Sequence, residues 1–258
     1  MAQGAVDLDF RSGIATLCWS DKSRRNAISA AMWRQIEEYA YSIRNNHDIR
    51  VVILSGANNT FSAGANLDDF EELRKNAGNA FDYDDIVESA CASIEGLPQP
   101  VIAAVSGFCY GAGLSLACSA DLVIATKDAT FAQPAGTLGI GYDVRGIQRL
   151  VRSTGPRLTK ELMFTARPVS AERMYTLGYV STLVEHAEIE NVVSEYATAI
   201  ASNAPLTLKA AKMAVRALVS GRALEEAIQL TSLADASEDY AEGRLAFSQK
   251  RSPNFTGK

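Results

Sequence analysis

Two stretches of this chain follow one order: a short apolar run, then glycines and other small residues, then the start of a helix. The first is Val51-Val52-Ile53-Leu54, followed by Phe61-Ser62-Ala63-Gly64-Ala65-Asn66-Leu67. The second is Val101-Ile102-Ala103-Ala104-Val105, followed by Gly107-Phe108-Cys109-Tyr110-Gly111-Ala112-Gly113. Continuous apolar runs of this length suit strands covered on both faces. Strands that alternate with helices argue for an α/β fold. Small residues let a ligand come close to the backbone. A helix start leaves N–H groups unpaired and carries partial positive charge. Two such groups facing one point make an oxyanion hole, which stabilises negative charge on a carbonyl oxygen. Either stretch alone is read equally well as tight strand–helix packing.

The rest of the chain extends the pattern. Ala5–Phe10 and Ile14–Trp19 read as strands around Arg11-Ser12-Gly13. Ser29 is placed to cap a helix through Met32, Ile36, Tyr39 and Ile43. Helices are also expected at Asp68–Lys75 and Tyr83–Glu95, with a mobile stretch over Asn76–Asn79 between them. A small-residue helix from about Gly111 to Ser119 and a strand at Asp121–Ala125 follow. From Glu185 to Lys250 there is no strand-like run, only helical segments broken at Ala204-Pro205 and Ser220-Gly221. This divides the chain into a core, residues 1–185, and a helical region, residues 186–258. The late helices pack either on a partner subunit or on their own domain.

Bulk properties exclude several classes. A chain of 258 residues carries one full core, and its net charge of −5 argues against a general nucleic-acid binder. An anionic ligand must be held by local basic residues or helix starts. Cys18, Cys91, Cys109 and Cys118 form no CxxC pair and have no His-rich neighbourhood, so no metal site is expected and the thiols read as buried and reduced. The opening MAQGAVDLDF shows no secretory signal, and no apolar run approaches the ~20 residues of a membrane helix. The expected compartment is the cytoplasm, with neither membrane nor nucleic acid as partner. A dinucleotide fingerprint fails because its third glycine would fall at Leu116. No P-loop and no GxSxG elbow is present, and His47 and His186 lie in polar helix-end contexts. Histidine-dependent nucleophilic catalysis has little to work with.

The paired segments FSAGANLDDF and VIAAVSGFCYGAGLSLACSADLVIA resemble the double signature of the crotonase (enoyl-CoA hydratase/isomerase) superfamily. Arg24–Ser29, Ala129–Pro134 and the ending Ser237–Phe255 agree with it in order, so the resemblance spans essentially the whole chain. It implies a spiral of ββα units with a C-terminal helical region used in trimer assembly, and a homotrimer or a dimer of trimers. It implies an acyl-CoA ligand, with no cofactor beyond the CoA moiety. The thioester oxygen would rest on the N–H groups of Ala65 and Ala112, the second being more often glycine in the family. CoA and acyl contacts would fall on Arg24, Arg25 and Ala27, on Ala63, Gly64, Asn66 and Leu67, and on Tyr110 and Gly111. Pro134, Ala135 and Leu138 would continue them, and Lys250 would reach the nucleotide, often from a neighbouring subunit. Arg24 also reads as an ordinary solvated cation.

The chain departs from the hydratase pattern at both glutamate positions, which hold Ser115 and Ala135. Neither side chain can serve as a carboxylate acid or base. The loop Leu138-Gly139-Ile140-Gly141-Tyr142 is similar to the methylmalonyl-CoA decarboxylase branch, where a tyrosine meets the substrate carboxylate. Gly139-Ile140-Gly141-Tyr142-Asp143 is similar to a 4-chlorobenzoyl-CoA dehalogenase loop, where an aspartate at the position of Asp143 is the nucleophile. Asp143 is equally placed to cap the helix that begins near Arg145. Three readings follow: an enolate-stabilising lyase or isomerase that places Tyr142 at the substrate, a hydrolase or dehalogenase using Asp143, and a CoA-binding member without turnover. Carboxylates in Asp68–Glu72 and Asp82–Glu88 carry no assigned role.

Overall fold

The architecture begins with a hairpin. In this computed structural model, which describes residues 4–69 and 80–258, β1 (Ala5–Arg11) and β2 (Ile14–Ser20) pair antiparallel. Ser12 and Gly13 between them both have positive φ, as a two-residue hairpin turn requires. The sheet continues through parallel strands in the order β1-β2-β3-β4-β6-β9, with β3 at Val51–Gly56, β4 at Val101–Val105, β6 at Leu122–Thr126 and β9 at Thr182–Val184. A smaller sheet joins β5 (Phe108–Tyr110), β7 (Thr130–Ala132) and β8 (Val169–Ser170). Strands this short escape a sequence pattern.

Both faces of the large sheet are covered, which is why β3 and β4 are apolar throughout. On one face lie α1 (Ala30–Arg44) and α2 (Ala80–Glu95), with Trp33, Ile36, Cys91 and Ile94 in the main core. Ser29 caps α1 as expected, its Oγ accepting from Met32 N at 3.2 Å. Residues 67–69 are helical. The rest of the helix expected at Asp68–Lys75, and the stretch Asn76–Asn79, lie outside the described residues. On the opposite face α6 (Ile189–Ala201) packs Val193 and Ala197 over Val51, Ile102 and Ile124.

Between these elements lie α3 (Ala112–Ala117), α4 (Val144–Thr165), bent at Gly155-Pro156, and α5 (Ala171–Thr176). The chain continues as α7 (Pro205–Ser220), α8 (Leu224–Asp235) and α9 (Glu238–Gln249). Gly221, with φ of 67°, turns the chain between α7 and α8. Lys212 anchors α7 to the core through Asp121 Oδ2 (2.6 Å) and Gln99 O (3.0 Å). Within α7–α9, Leu218, Val219, Ile228, Leu233 and Phe247 are all more than half exposed. The late helices therefore divide: α6 packs on its own sheet, while α7–α9 keep an uncovered apolar surface. No described helix is long and apolar enough to cross a membrane. The four cysteines are free thiols, three of them buried.

Candidate active site

The two small-residue segments leave the C-terminal ends of β3 and β4 and meet. Phe61 N donates to Ser106 O and Ser62 N to Phe108 O, both at 2.7 Å, and Tyr110 N donates to Ser62 O at 3.0 Å. Gly113 supports the packing reading, because a β-carbon there would lie 2.7 Å from Ser62 Cβ. Gly64 has φ of +113°, and a β-carbon there would lie 3.1 Å from Tyr110 O and 3.9 Å from Ala112 N. Only glycine adopts that backbone without strain and allows that approach. Gly64 and Gly113 thus both serve the close packing of one segment on the other.

Two N–H groups remain without ladder partners. The bridge between Ile28 and Ala65 uses Gly64 O and Asn66 N, so the N–H of Ala65 itself points away from that bridge. Ala112 is the first residue of α3 and the helix supplies no acceptor for its N–H. They belong to Ala65 and Ala112, the two residues to which the family resemblance assigns the oxyanion hole.

A cavity of about 540 Å³ opens beside them. The structure brings Ala65, Ala112, Tyr142 and Asp143 to its wall, together with Arg24, Ala27, Ala63, Gly64, Asn66, Leu67, Gly111, Pro134, Ala135 and Leu138. Arg25, Tyr110 and Lys250 are not part of that wall in the single chain. Arg25 lies over the Phe108 ring, 5.1 Å from its centroid. Tyr110 sits in β5, and its hydroxyl pairs with Thr130 Oγ1 at 3.0 Å. Lys250 ends α9 in the left-handed region and is exposed. Arg24, at the cavity mouth, pairs with Asp68.

Ser115 is sealed behind Tyr142, with only 4% of its surface exposed. The two hydroxyls are 2.6 Å apart. A glutamate at position 115 would extend two bonds past its γ-carbon, into the space that the Tyr142 hydroxyl occupies. Burial pushes the phenol well above its ordinary pKa, against the opposing hydrogen bond from Ser115. Tyr142 is therefore a neutral donor at physiological pH. Ala135, which the resemblance sets at a hydratase's second glutamate, presents only a methyl group to the cavity wall.

The carboxylates at the wall are engaged. Glu88, on α2, accepts from Arg149 Nη1 at 3.2 Å and Nη2 at 2.9 Å, and both side chains are almost fully buried. Neither partner figures among the sequence-derived candidates. Asp143 caps α4 by accepting from Arg145 N at 2.7 Å, and Arg145 Nε and Nη2 bind its two oxygens at 3.0 and 2.7 Å. The Arg145 guanidinium, which also pairs with Asp85, holds the Asp143 carboxyl below its ordinary pKa. Among the described residues no three His, Cys, Asp or Glu side chains gather as metal ligands.

Arrangement and ancestry agree. The family model for enoyl-CoA hydratase/isomerase matches residues 9–258. The methylmalonyl-CoA decarboxylase of Escherichia coli K12 is 32% identical, over 95% of this chain and 95% of that protein. The short-chain-enoyl-CoA hydratase of Clostridium acetobutylicum is 33% identical, over 92% of this chain and 88% of that protein. Among solved structures, an enoyl-CoA hydratase/carnithine racemase from Magnetospirillum magneticum superposes with a TM-score of 0.94 at 32% identity, covering 98% of this chain and 96% of that one. A family model that matches nearly the whole chain, with relatives above 30% identity along most of its length, shows that this chain belongs to the enoyl-CoA hydratase/isomerase family.

Proposed function

We propose that this protein is an acyl-CoA lyase of the decarboxylating kind, acting on a thioester that carries a carboxylate on its α-carbon. The observation that carries the reading is the Ser115–Tyr142 hydroxyl pair, which stands where a hydratase would place a carboxylate. Hydration needs a group that takes a proton from water. A buried neutral phenol does not take one, and Ala135 offers nothing. Glu88 and Asp143 are each held through both oxygens by an arginine.

Decarboxylation needs less. Tyr142 donates a hydrogen bond to the substrate carboxylate and holds it out of the thioester plane. The C–C bond then breaks, its electron pair enters the thioester, and CO₂ leaves. The resulting enolate oxygen is stabilised by the N–H groups of Ala65 and Ala112. Protonation of the α-carbon completes the turnover. Arg24, which pairs with Asp68 in this chain, would exchange that partner for a CoA phosphate. The Escherichia coli relative named for methylmalonyl-CoA decarboxylation makes that substrate the first to try. The uncovered apolar surface of α7–α9 supports assembly as a trimer, in which Lys250 would serve a neighbouring copy.

The test is mass spectrometry of methylmalonyl-CoA after incubation with purified protein, beside a Tyr142→Phe control. Loss of CO₂ that depends on Tyr142 is expected. No mass change would overturn the substrate assignment and favour a protein that binds CoA without turnover.

A further inference from the structure

The opposite ends of the parallel strands hold a second cavity, of about 700 Å³. One side of it comes from residues that directly precede β3 and β4 and the other from α7, α8 and the last residues of the chain, whereas the acyl cavity takes in the segments that directly follow those two strands. With six residues in β3, the two cavities lie about a strand's length apart, roughly 20 Å.

Arg44, Arg50, Lys209, Arg216 and Lys258 line this second cavity, against one acidic side chain, Glu226. That concentration of positive charge opposes the net charge of the whole chain, −5. Elsewhere the buried and half-buried arginines are neutralised, Arg149 by Glu88 and Arg24 by Asp68. None of the five cavity cations forms an ion pair among the described residues. Arg50 gives one N–H to Phe255 O at 2.9 Å, and Arg216 gives one to Glu95 O at 2.6 Å. Each guanidinium keeps further donors. Arg50, Lys209 and Arg216 are half-buried, so their repulsion is less screened than on an open surface. Like charges held together in a concave wall raise the local potential and favour a bound anion. The same cavity has an apolar side, made by Ile49, Pro98, Pro205 and Met213.

From these two sides we infer that the cavity is a second ligand site, taking a nucleoside polyphosphate. The phosphates meet the cations, and the base lies against the apolar side. A free nucleotide and the nucleotide end of a CoA molecule present the same chemistry. The site owes nothing to the reaction assigned to the acyl cavity.

The experiment is titration calorimetry on the full chain, with the acyl cavity first saturated by a non-cleavable dethia acyl-CoA analogue and ADP then added. Wild type is compared with Arg44→Glu/Lys209→Glu and with the milder Lys209→Gln. Two results support the site. In one, ADP binds once per chain in the presence of the analogue, which identifies free nucleotide as the ligand. In the other, two analogue molecules bind per chain and ADP finds no room, which identifies the nucleotide end of CoA. In either case the double variant weakens the second event by at least about tenfold, and Lys209→Gln by about threefold or more. Binding of the first analogue molecule stays unchanged, which also shows that the variants are folded. No event beyond one analogue per chain would overturn the proposal. So would a second event whose affinity the variants leave within about twofold of wild type.

Discussion

Tyr142 Oη lies 2.6 Å from Ser115 Oγ, and Ser115 behind it is almost wholly shut off from solvent. In the arrangement that the proposed reaction needs, Ser115 donates to the phenol oxygen and leaves the phenol hydrogen for the substrate. Ser115→Ala should lower kcat by about tenfold and leave the KM for the acyl-CoA near its wild-type value, the pattern of a lost orienting bond. In Ser115→Ala/Tyr142→Phe the two losses should not add, because both act through one hydroxyl. Steady-state kinetics of the four proteins decides this, and full additivity would separate the two residues.

Gly146, at the start of α4, is the floor beneath the Tyr142 ring. A β-carbon there would lie 2.8 Å from Tyr142 Cε1 and 3.1 Å from Glu88 Oε1. Neither group can give way freely, since the half-buried ring is tied by its hydroxyl to Ser115 and the carboxylate is gripped by Arg149. Gly146→Ala should cost about 1–3 kcal/mol as overpacking and lower kcat by displacing the phenol. Denaturant unfolding reads the first effect and turnover the second. A fully active, fully stable variant would mean that Tyr142 is held elsewhere.

The Glu88–Arg149 pair joins α2 to α4 behind the cavity wall. Arg149→Met leaves a buried carboxylate without its partner and should destabilise the fold by roughly 3–5 kcal/mol. Adding Glu88→Leu to that variant should recover most of the loss, since two apolar side chains replace both charges together. Urea midpoints for the single and double variants test it. No recovery would show that the pair contributes more than mutual neutralisation.

How much of this was legible in the sequence differs from residue to residue. β3 and β4 were readable because strands covered on both faces are apolar throughout. The Ser29 cap was readable because its signal is local. Ala65 and Ala112 came from the resemblance of the paired segments to a known family, and the structure leaves the N–H of each without a backbone partner. Glu88 was not, because its partner is 61 residues away and an acidic helix ordinarily shows its charges to solvent. Tyr110 and Arg25 stand beside motif residues, but adjacency does not give side-chain direction. Tyr110 turns to Thr130, and Arg25 lies over Phe108. Gly139–Asp143 resembles loops with two different chemistries, and only the bonds made by Asp143 separate a cap from a free nucleophile.

Asp143 supplies the pH test of that distinction. Its carboxyl is held below the ordinary value of 3.8, chiefly by hydrogen bonds from the Arg145 side chain. A carboxyl whose pKa is lower in the folded state adds stability that is fully present above the unfolded value, and loses it as pH falls through the folded one. The gap in stability between wild type and Asp143→Asn should stay constant from pH 7 to about 5 and close below about 4. Asparagine still caps a helix, so Asp143→Asn keeps that contribution, whereas Asp143→Ala should lose about 1 kcal/mol more. Urea midpoints across the pH series measure all three proteins. As a cap rather than a nucleophile, Asp143 should tolerate asparagine with kcat within about threefold of wild type, against a loss of roughly a thousandfold or more for a residue that forms the covalent bond. A loss of that size, with a covalent adduct at Asp143 in the quenched wild-type enzyme, would replace the lyase reading with acyl transfer to this aspartate.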